Sequence, residues 1–316
     1  MKPLPWHQGV WDVLQRAESD GHLTHALLLV GESALQVAQF VTAFAAADLC
    51  EGESGQGACG QCRSCGWLKA GTHPDLRTVG LEEKKKIISI KQVRELTQSA
   101  SKTTHLGHRV LVVDPADHMN VAAANALLKT LEEPPDNNRI VLGATRLDRL
   151  PATIVSRCQR YRLPAPTTQQ AMDWLRDNAS DVPASALDAA SGCPLTAMQL
   201  NADGSAGLYS QRWQALFALC TGKGGVDALT SDPAGAIEFM NRAAASIAMA
   251  ASGAGSQSAD SKLQSRIVTL AERMSQRDWL QWQQLVARAL EQCGTGINEG
   301  MLLDAALVDL RGRLAA

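Results

Sequence analysis

The 316 residues contain no uninterrupted apolar stretch approaching the roughly 18 to 20 residues of a membrane span, which excludes a spanning helix. The opening Met1-Lys2-Pro3-Leu4-Pro5-Trp6-His7 has no signal-peptide core, so a cytoplasmic protein is expected. Charge of one sign is missing too. Thirty basic against thirty-two acidic side chains leave a net charge of −2, which excludes the basic body of an independent, high-affinity nucleic-acid binder but not local or assembly-borne contact with DNA. Hydrophobic residues at 45% and charged residues at 20% exclude a wholly disordered chain. The length predicts about two domains, with three small ones as the alternative. Against these absences stand eight cysteines, four of them within residues 50–65, a clustering that no small secreted disulfide scaffold explains in a chain this long.

Apolar patterning divides the chain. His25–Gly31 predicts a buried strand and turn, followed by a helix over Leu35–Leu49. An extended piece is expected at Asp75–Val79, a helix at Val93–Ser101, and a second buried strand at Arg109–Asp114 with a carboxylate at its C-terminal end. The charge run Glu82–Lys86 reads as a solvated loop or hairpin tip. Ala124, Leu127, Leu128 and Leu131 repeat with helical spacing in Asn120–Glu133, where Pro134-Pro135 stop the helix. Arg139–Ala144 and Gln159–Leu163 read as further strands. Strands alternating with helices imply an α/β fold with a mainly parallel sheet over residues 1–163. Beyond Pro164-Ala165-Pro166 strand signals vanish, and helical spacing recurs at Trp213, Leu216, Phe217 and Cys220, in Trp279–Leu290 and in Met301–Leu310. Breaks at Gly204–Gly207 and Ala251–Ser261 suggest a small helical domain at 164–204 and a larger one at 205–316. Residues 1–163 carry 19 basic and 17 acidic side chains, the rest 11 and 15, so the basic excess sits in the α/β part.

The clustered cysteines are Cys50, Cys59, Cys62 and Cys65, with Gly52, Gly55, Gly57 and Gly60 between them. Four thiolates suit a closed tetrahedral Zn²⁺ site, and the glycines allow turns that aim backbone amides at sulfur. Alternatives are four reduced cysteines without metal, an iron–sulfur cluster, or a catalytic zinc, the last opposed by the absence of an open position for water. His73-Pro74-Asp75 lacks the His-x-Glu of a nucleoside deaminase, so the expected zinc is structural. A free-standing zinc-ribbon nucleic-acid binder is disfavoured: between Cys50 and Cys65 the basic residue is Arg63 alone, against Glu51 and Glu53, with no aromatic to stack on bases. Cys158, Cys193, Cys220 and Cys293 read as small buried residues.

A phosphate-binding loop would be expected where the first strand turns into its helix, as Gly-x4-Gly-Lys-Ser/Thr. The eight positions here run Gly31-Glu32-Ser33-Ala34-Leu35-Gln36-Val37-Ala38. Gln36 stands for the second glycine, Val37 for the lysine and Ala38 for the hydroxyl, while Glu32 adds a negative charge. By itself this is a plain strand-turn-helix.

Three other segments change that weighting: Arg109–Asp114, Ala122-Ala123-Ala124-Asn125-Ala126-Leu127-Leu128-Lys129-Thr130-Leu131-Glu132-Glu133-Pro134-Pro135, and Ile154-Val155-Ser156-Arg157-Cys158. Together with the cysteines and Trp6…His25-Ala26-Leu27-Leu28, they resemble the clamp-loader branch of the AAA+ ATPases, as found in bacterial DNA polymerase III, over about residues 4–200. The resemblance implies an AAA+ P-loop-type sheet domain with an inserted zinc module at 50–65, then a helical lid, then a collar that joins subunits into a ring.

It also implies a subunit without its own chemistry. Asp114 is followed by Pro115 where active members carry a glutamate that polarises the attacking water, and proline can neither accept a proton nor donate a backbone hydrogen bond. In Gly192-Cys193-Pro194-Leu195-Thr196-Ala197, Leu195 stands where an ATP-sensing arginine would be, and Thr145 keeps the polar character of the first sensor position. With the loop, three chemical elements are absent, so ATP is not expected to bind. Arg157 of Ser156-Arg157-Cys158 remains: in the family this arginine reaches the γ-phosphate of a neighbouring subunit's ATP as a trans-acting finger. The implied partners are gamma/tau-type ATPase subunits and a delta subunit, with a sliding clamp and primed DNA engaged through the assembly. An ATP-hydrolysing subunit of the same family is the alternative.

Overall fold

Alternation within short strands decides the first half of the protein. Successive residues of β1 (Ala26–Val30), β3 (Arg109–Val113) and β4 (Asn138–Ala144) point to opposite faces. Leu28, Leu111, Val113, Ile140 and Leu142 join one buried cluster, whereas Leu27, Leu29, Val110, Val112 and Val141 join another. Both faces are therefore covered, which is why these strands read as unbroken apolar runs rather than alternating ones. With β2 (Leu76–Val79) and β5 (Gln159–Arg162), they form a five-stranded sheet in the order β2-β3-β4-β1-β5, every pairing parallel. The structure, a computed structural model, describes residues 1–52, 57–83, 85–135, 137–222, 227–253 and 258–315.

One face is covered by α1 (Gln8–Ser19) through Trp11 and Leu14, and by α2 (Ala34–Asp48) through Val37, Phe40 and Phe44. The other is covered by α4 (Ile90–Ser99) through Val93 and Leu96, and by α5 (Val121–Glu132) through Ala123, Ala124, Leu127 and Leu131. Ser89 and Asn120 cap α4 and α5 by accepting the amides of Gln92 and Ala123. The short α3 (Arg63–Lys69) and α6 (Ala152–Val155) carry the cysteine segment and the Ser156-Arg157-Cys158 motif. Because the sheet is wholly parallel, the charge run is no hairpin tip. Its described residues Glu82, Glu83, Lys85 and Lys86 are exposed between β2 and α4, and Lys84 lies outside the described residues. The expected α/β domain with a parallel sheet is thus present, and β5, an edge strand, is blunted by the exposed arginines Arg160 and Arg162.

The chain separates into two compact units, Met1–Ala165 and Pro166–Ala316. The second is built from α7 (Thr168–Asn178), α8 (Ala184–Ala189), α9 (Pro194–Ala202), α10 (Ser205–Thr221), α11 (Asp227–Thr230), α12 (Pro233–Ala251), α13 (Ser261–Ala271), α14 (Gln276–Gln292) and α15 (Glu299–Ala315). It holds two apolar clusters. A small one gathers Ala171, Leu175, Leu187 and Ala197, and a large one gathers Trp213, Phe239, Trp279, Trp282 and Leu310. The break expected at Gly204–Gly207 narrows to Asp203-Gly204, because Ser205 to Gly207 already belong to α10 and Gly204 takes the left-handed φ of +80°. Residues 254–257 of the second expected break lie outside the described residues. Of the scattered cysteines, Cys158, Cys193 and Cys220 are buried. Cys293 is only half-buried, a correction that follows from its place at the C-terminal cap of α14, where its thiol donates to the Ala289 carbonyl.

Candidate functional site

Four cysteines converge where α2 ends and α3 begins. The Sγ atoms of Cys50, Cys59, Cys62 and Cys65 all lie within 4.8 Å of one another. Three of the separations are 3.9 Å for Cys50–Cys62, 3.9 Å for Cys59–Cys65 and 3.8 Å for Cys65–Cys50. A tetrahedron with metal–sulfur arms of about 2.3 Å has edges near 3.8 Å, so the donor set fits one four-coordinate ion. The glycine turns do what such a site requires. Gly52 and Cys59 amides donate to the Cys50 sulfur at 3.4 and 3.3 Å, and Gly60 donates to Cys65 at 3.3 Å. Cys62 and Cys65 amides serve the sulfurs of Cys59 and Cys62. Gly57 and Gly60 hold φ of +113° and +78°, open to glycine and strained for other residues; Glu53 and Gly55 lie outside the described residues. Backbone donation from Gln61, then Cys62, brings the Cys59 thiol down to about 6, whereas burial pushes Cys65 up to about 12.

The metal segment is tied inward. Ser64 donates from its hydroxyl to the Leu49 carbonyl and bonds His73 Nε2 at 2.8 Å, while His73 Nδ1 accepts the Asp75 amide at 3.1 Å. His73 is thus a buried joint beneath α3. Asp75 in turn accepts the amides of His105 and Leu106 and pairs with Arg109 at 3.6 Å. Outward, the Ala58 amide donates to the Met1 carbonyl at 3.2 Å, so the cysteine loop also holds the first residues of the chain.

At the expected phosphate loop only Gly31, Glu32 and Ser33 separate β1 from α2, which is helical from Ala34. Positions 34–38 of the eight-residue pattern are therefore wound into helix, and their backbone amides are spent on helical bonding from Val37 onward. Val37, fully buried, fills the space beside β1 and β4. A Cβ added at Gly31 would meet Val37 Cγ2 at 2.8 Å, and one at Gly143 would meet Val37 Cγ1 at 2.9 Å and collide with Asp114 Oδ1. Gln36 is buried and Ala38 half-buried. Glu32 is exposed and pairs with Arg162 at 3.4 Å. Burial, then the charge of Asp117, pushes the Asp114 carboxyl up to about 6.

Sequence reasoning missed Asp117. Its Oδ2 accepts the Thr145 hydroxyl at 3.0 Å, the Thr145 amide at 3.3 Å and the Arg146 amide at 2.9 Å. The polar group at the first sensor position is thus held by a buried carboxylate three residues past Asp114. The available signal was that second aspartate, since a carboxylate so close to a buried strand needs donors. Pro115 follows Asp114 at the end of β3, and Leu195 stands in the first turn of α9, in the helical unit.

Arg157 is placed differently. Cys158 is buried against the α4/α5 face of the sheet and Ile154 of α6 is fully buried, so the motif is anchored on both sides, while Ser156 and Arg157 are exposed. Arg157 donates from Nε to Glu132 Oε1 at 2.8 Å and from Nη1 to the Thr153 carbonyl at 3.0 Å, and its Nη2 lies 2.5 Å from Glu132 Oε1. Sequence reasoning singled out the arginine but not this carboxylate.

The chain is similar to proteins that are already known. The DNA polymerase III subunit delta′ of Pseudomonas aeruginosa is 40% identical over 206 residues, which cover 63% of this chain and 62% of that one. The subunit of the same name in Escherichia coli is 34% identical over 224 residues, 70% of this chain and 65% of that one. The matched region therefore spans less than two thirds of either relative. A solved gamma-subunit-related protein of DNA polymerase III from Thermotoga maritima aligns over 95% of this chain and 99% of its own, at 16% identity and a TM-score of 0.48. Residues 6–167, just over half the chain and including the cysteine cluster, the filled loop and Arg157, match the family described as DNA polymerase III, delta subunit, and the chain belongs to that family.

Proposed function

We propose that this chain is a non-hydrolysing clamp-loader subunit of DNA polymerase III. In this reading it holds one position in a ring of gamma/tau-type ATPase subunits with a delta subunit, and presents Arg157 to a neighbour's ATP. The assembly then opens a sliding clamp and places it on primed DNA. The observation that carries the reading is the contrast inside one sheet domain. Hydrocarbon fills the phosphate-loop position, and a planar, always-charged guanidinium stands exposed on a rigid motif elsewhere. A nucleotide needs several unspent backbone amides and a cation around its phosphates. The first-turn amides of α2 stand without the cation, because the buried Val37 takes the lysine position, and Glu32 brings the wrong charge.

Zinc is the metal we assign to the cysteine cluster, held by Cys50, Cys59, Cys62 and Cys65. The short sulfur–sulfur edges favour a single ion over a multi-iron cluster, and four thiolates close the coordination sphere, so its part is structural. Within the helical unit, the small cluster corresponds to a lid over 164–204 and the large one to a collar over 205–316 that joins subunits. On this reading the chain works in the cytoplasm, with the replication assembly; no helix among the described residues is long and apolar enough to cross a membrane.

The test is reconstitution. Clamp loading onto primed DNA is measured with ATPase and delta subunits, with and without this chain. Loading that requires the chain, together with its co-purification in the ring, supports the reading; full loading without it, or failure to enter the ring, overturns it.

A further inference from the structure

We propose that Glu132 is the positioning residue for Arg157, which rests on the reading of Arg157 as a finger toward a neighbour's phosphate. A guanidinium has five N–H donors on a side chain of many rotamers. Glu132 takes the edge formed by Nε and Nη2, and the Thr153 carbonyl takes one donor of Nη1. Among the described residues that leaves two N–H groups, one on each terminal nitrogen, the number a phosphate accepts from an arginine bidentately.

Both ends of the clasp start from packed backbone. Glu132 is the last residue of α5, next to buried Leu131 and just before Pro134-Pro135. Arg157 stands between buried Ile154 and Cys158, and its second anchor, Thr153, belongs to α6, which packs on α5. A finger works only where its donors already sit when the phosphate charge develops, because ordering it afterwards forfeits part of the stabilisation. The pair is half-exposed, and exposed ion pairs are weak, so Glu132 biases the orientation of Arg157 rather than deciding its charge.

The experiment uses the reconstituted ring and reads Arg157-dependent turnover, the ATPase rate of the wild type minus that of Arg157→Ala. Glu132→Ala should lower this share about two- to fivefold at an ATP KM changed less than twofold. Glu132→Gln, whose amide oxygen still accepts, should retain an intermediate share. In the Arg157→Ala background, Glu132→Ala should change nothing further. Unchanged or faster turnover in Glu132→Ala overturns the inference, the latter by making the pair a restraint. An equal fall in both backgrounds also overturns it, by making Glu132 merely structural. If Arg157→Ala turns over like the wild type, the finger reading fails and this inference with it; if Arg157→Ala is slow while Glu132→Ala is normal, only this inference fails.

Discussion

Two corners of the same sheet domain have met opposite fates. At the end of β1, the position of a phosphate-binding lysine is taken by Val37, buried beside Gly31 and Gly143, and positions 34–38 are wound into α2. At the end of α6, Arg157 keeps an exposed guanidinium between two buried neighbours. On the proposed reading, the difference teaches that a group serving this chain's own nucleotide would have no value once the loop is filled, whereas a group aimed at a neighbour would keep its value, on a scaffold that must persist for the second to work.

The scaffold is where the largest effect is expected. Structural zinc sites hold their metal with roughly 10 kcal/mol or more. Protein prepared without chelator should contain about one zinc per chain, and stripping it, or making Cys62→Ser, should unfold the 50–65 segment. Trp67, stacked under Arg63 at 4.4 Å and edge-on to His73, should report this as a change in fluorescence. Less than half an equivalent of metal would count against the site.

At the exposed corner, Arg157→Ala should leave the chain folded and cost on the order of 10³-fold in turnover at the site it serves. Circular dichroism and the ATPase rate of the reconstituted ring check the two halves of that expectation. At the filled corner, Gly143→Ala drives a methyl into Asp114 and Val37 and should destabilise by about 1–3 kcal/mol in urea unfolding. A wild-type stability there would mean that the space is not closed.

A smaller effect concerns acid. His7 is buried against Phe40, and burial pushes it down to about 4, with the Pro164 backbone offsetting only part. Its folded pKa lies below the unfolded value of 6.5, so the unfolded chain takes up the proton first and stability falls as pH drops from about 6.5 to 4. On the order of 2 kcal/mol should be lost in that window, and His7→Phe should flatten it, measured by urea midpoints at each pH.

Much of this was legible from the residues. Val110–Val113 and Ile140–Ala144 announce buried parallel strands because both faces of such a strand are covered. Four cysteines spaced so closely announce a metal site, because disulfides would not crowd in this way. Short-range spacing does not announce partners that meet through the fold. Glu132 lies 25 residues from Arg157 and Asp117 lies 28 from Thr145, and only the approach of α5 to α6 and of β3 to β4 unites them. Nor could the turn of three residues be read from a failed motif, since Gly31–Ala38 could equally have formed a wide loop with altered side chains.

The central claim is that this chain binds no ATP of its own while acting on a neighbour's. Titration calorimetry of the isolated chain with Mg-ATP tests it most directly. The account predicts no saturable heat up to millimolar nucleotide, and no rise in melting temperature in the same solutions. Saturable binding in the micromolar range would contradict it and return the chain to the ATP-holding members of its family.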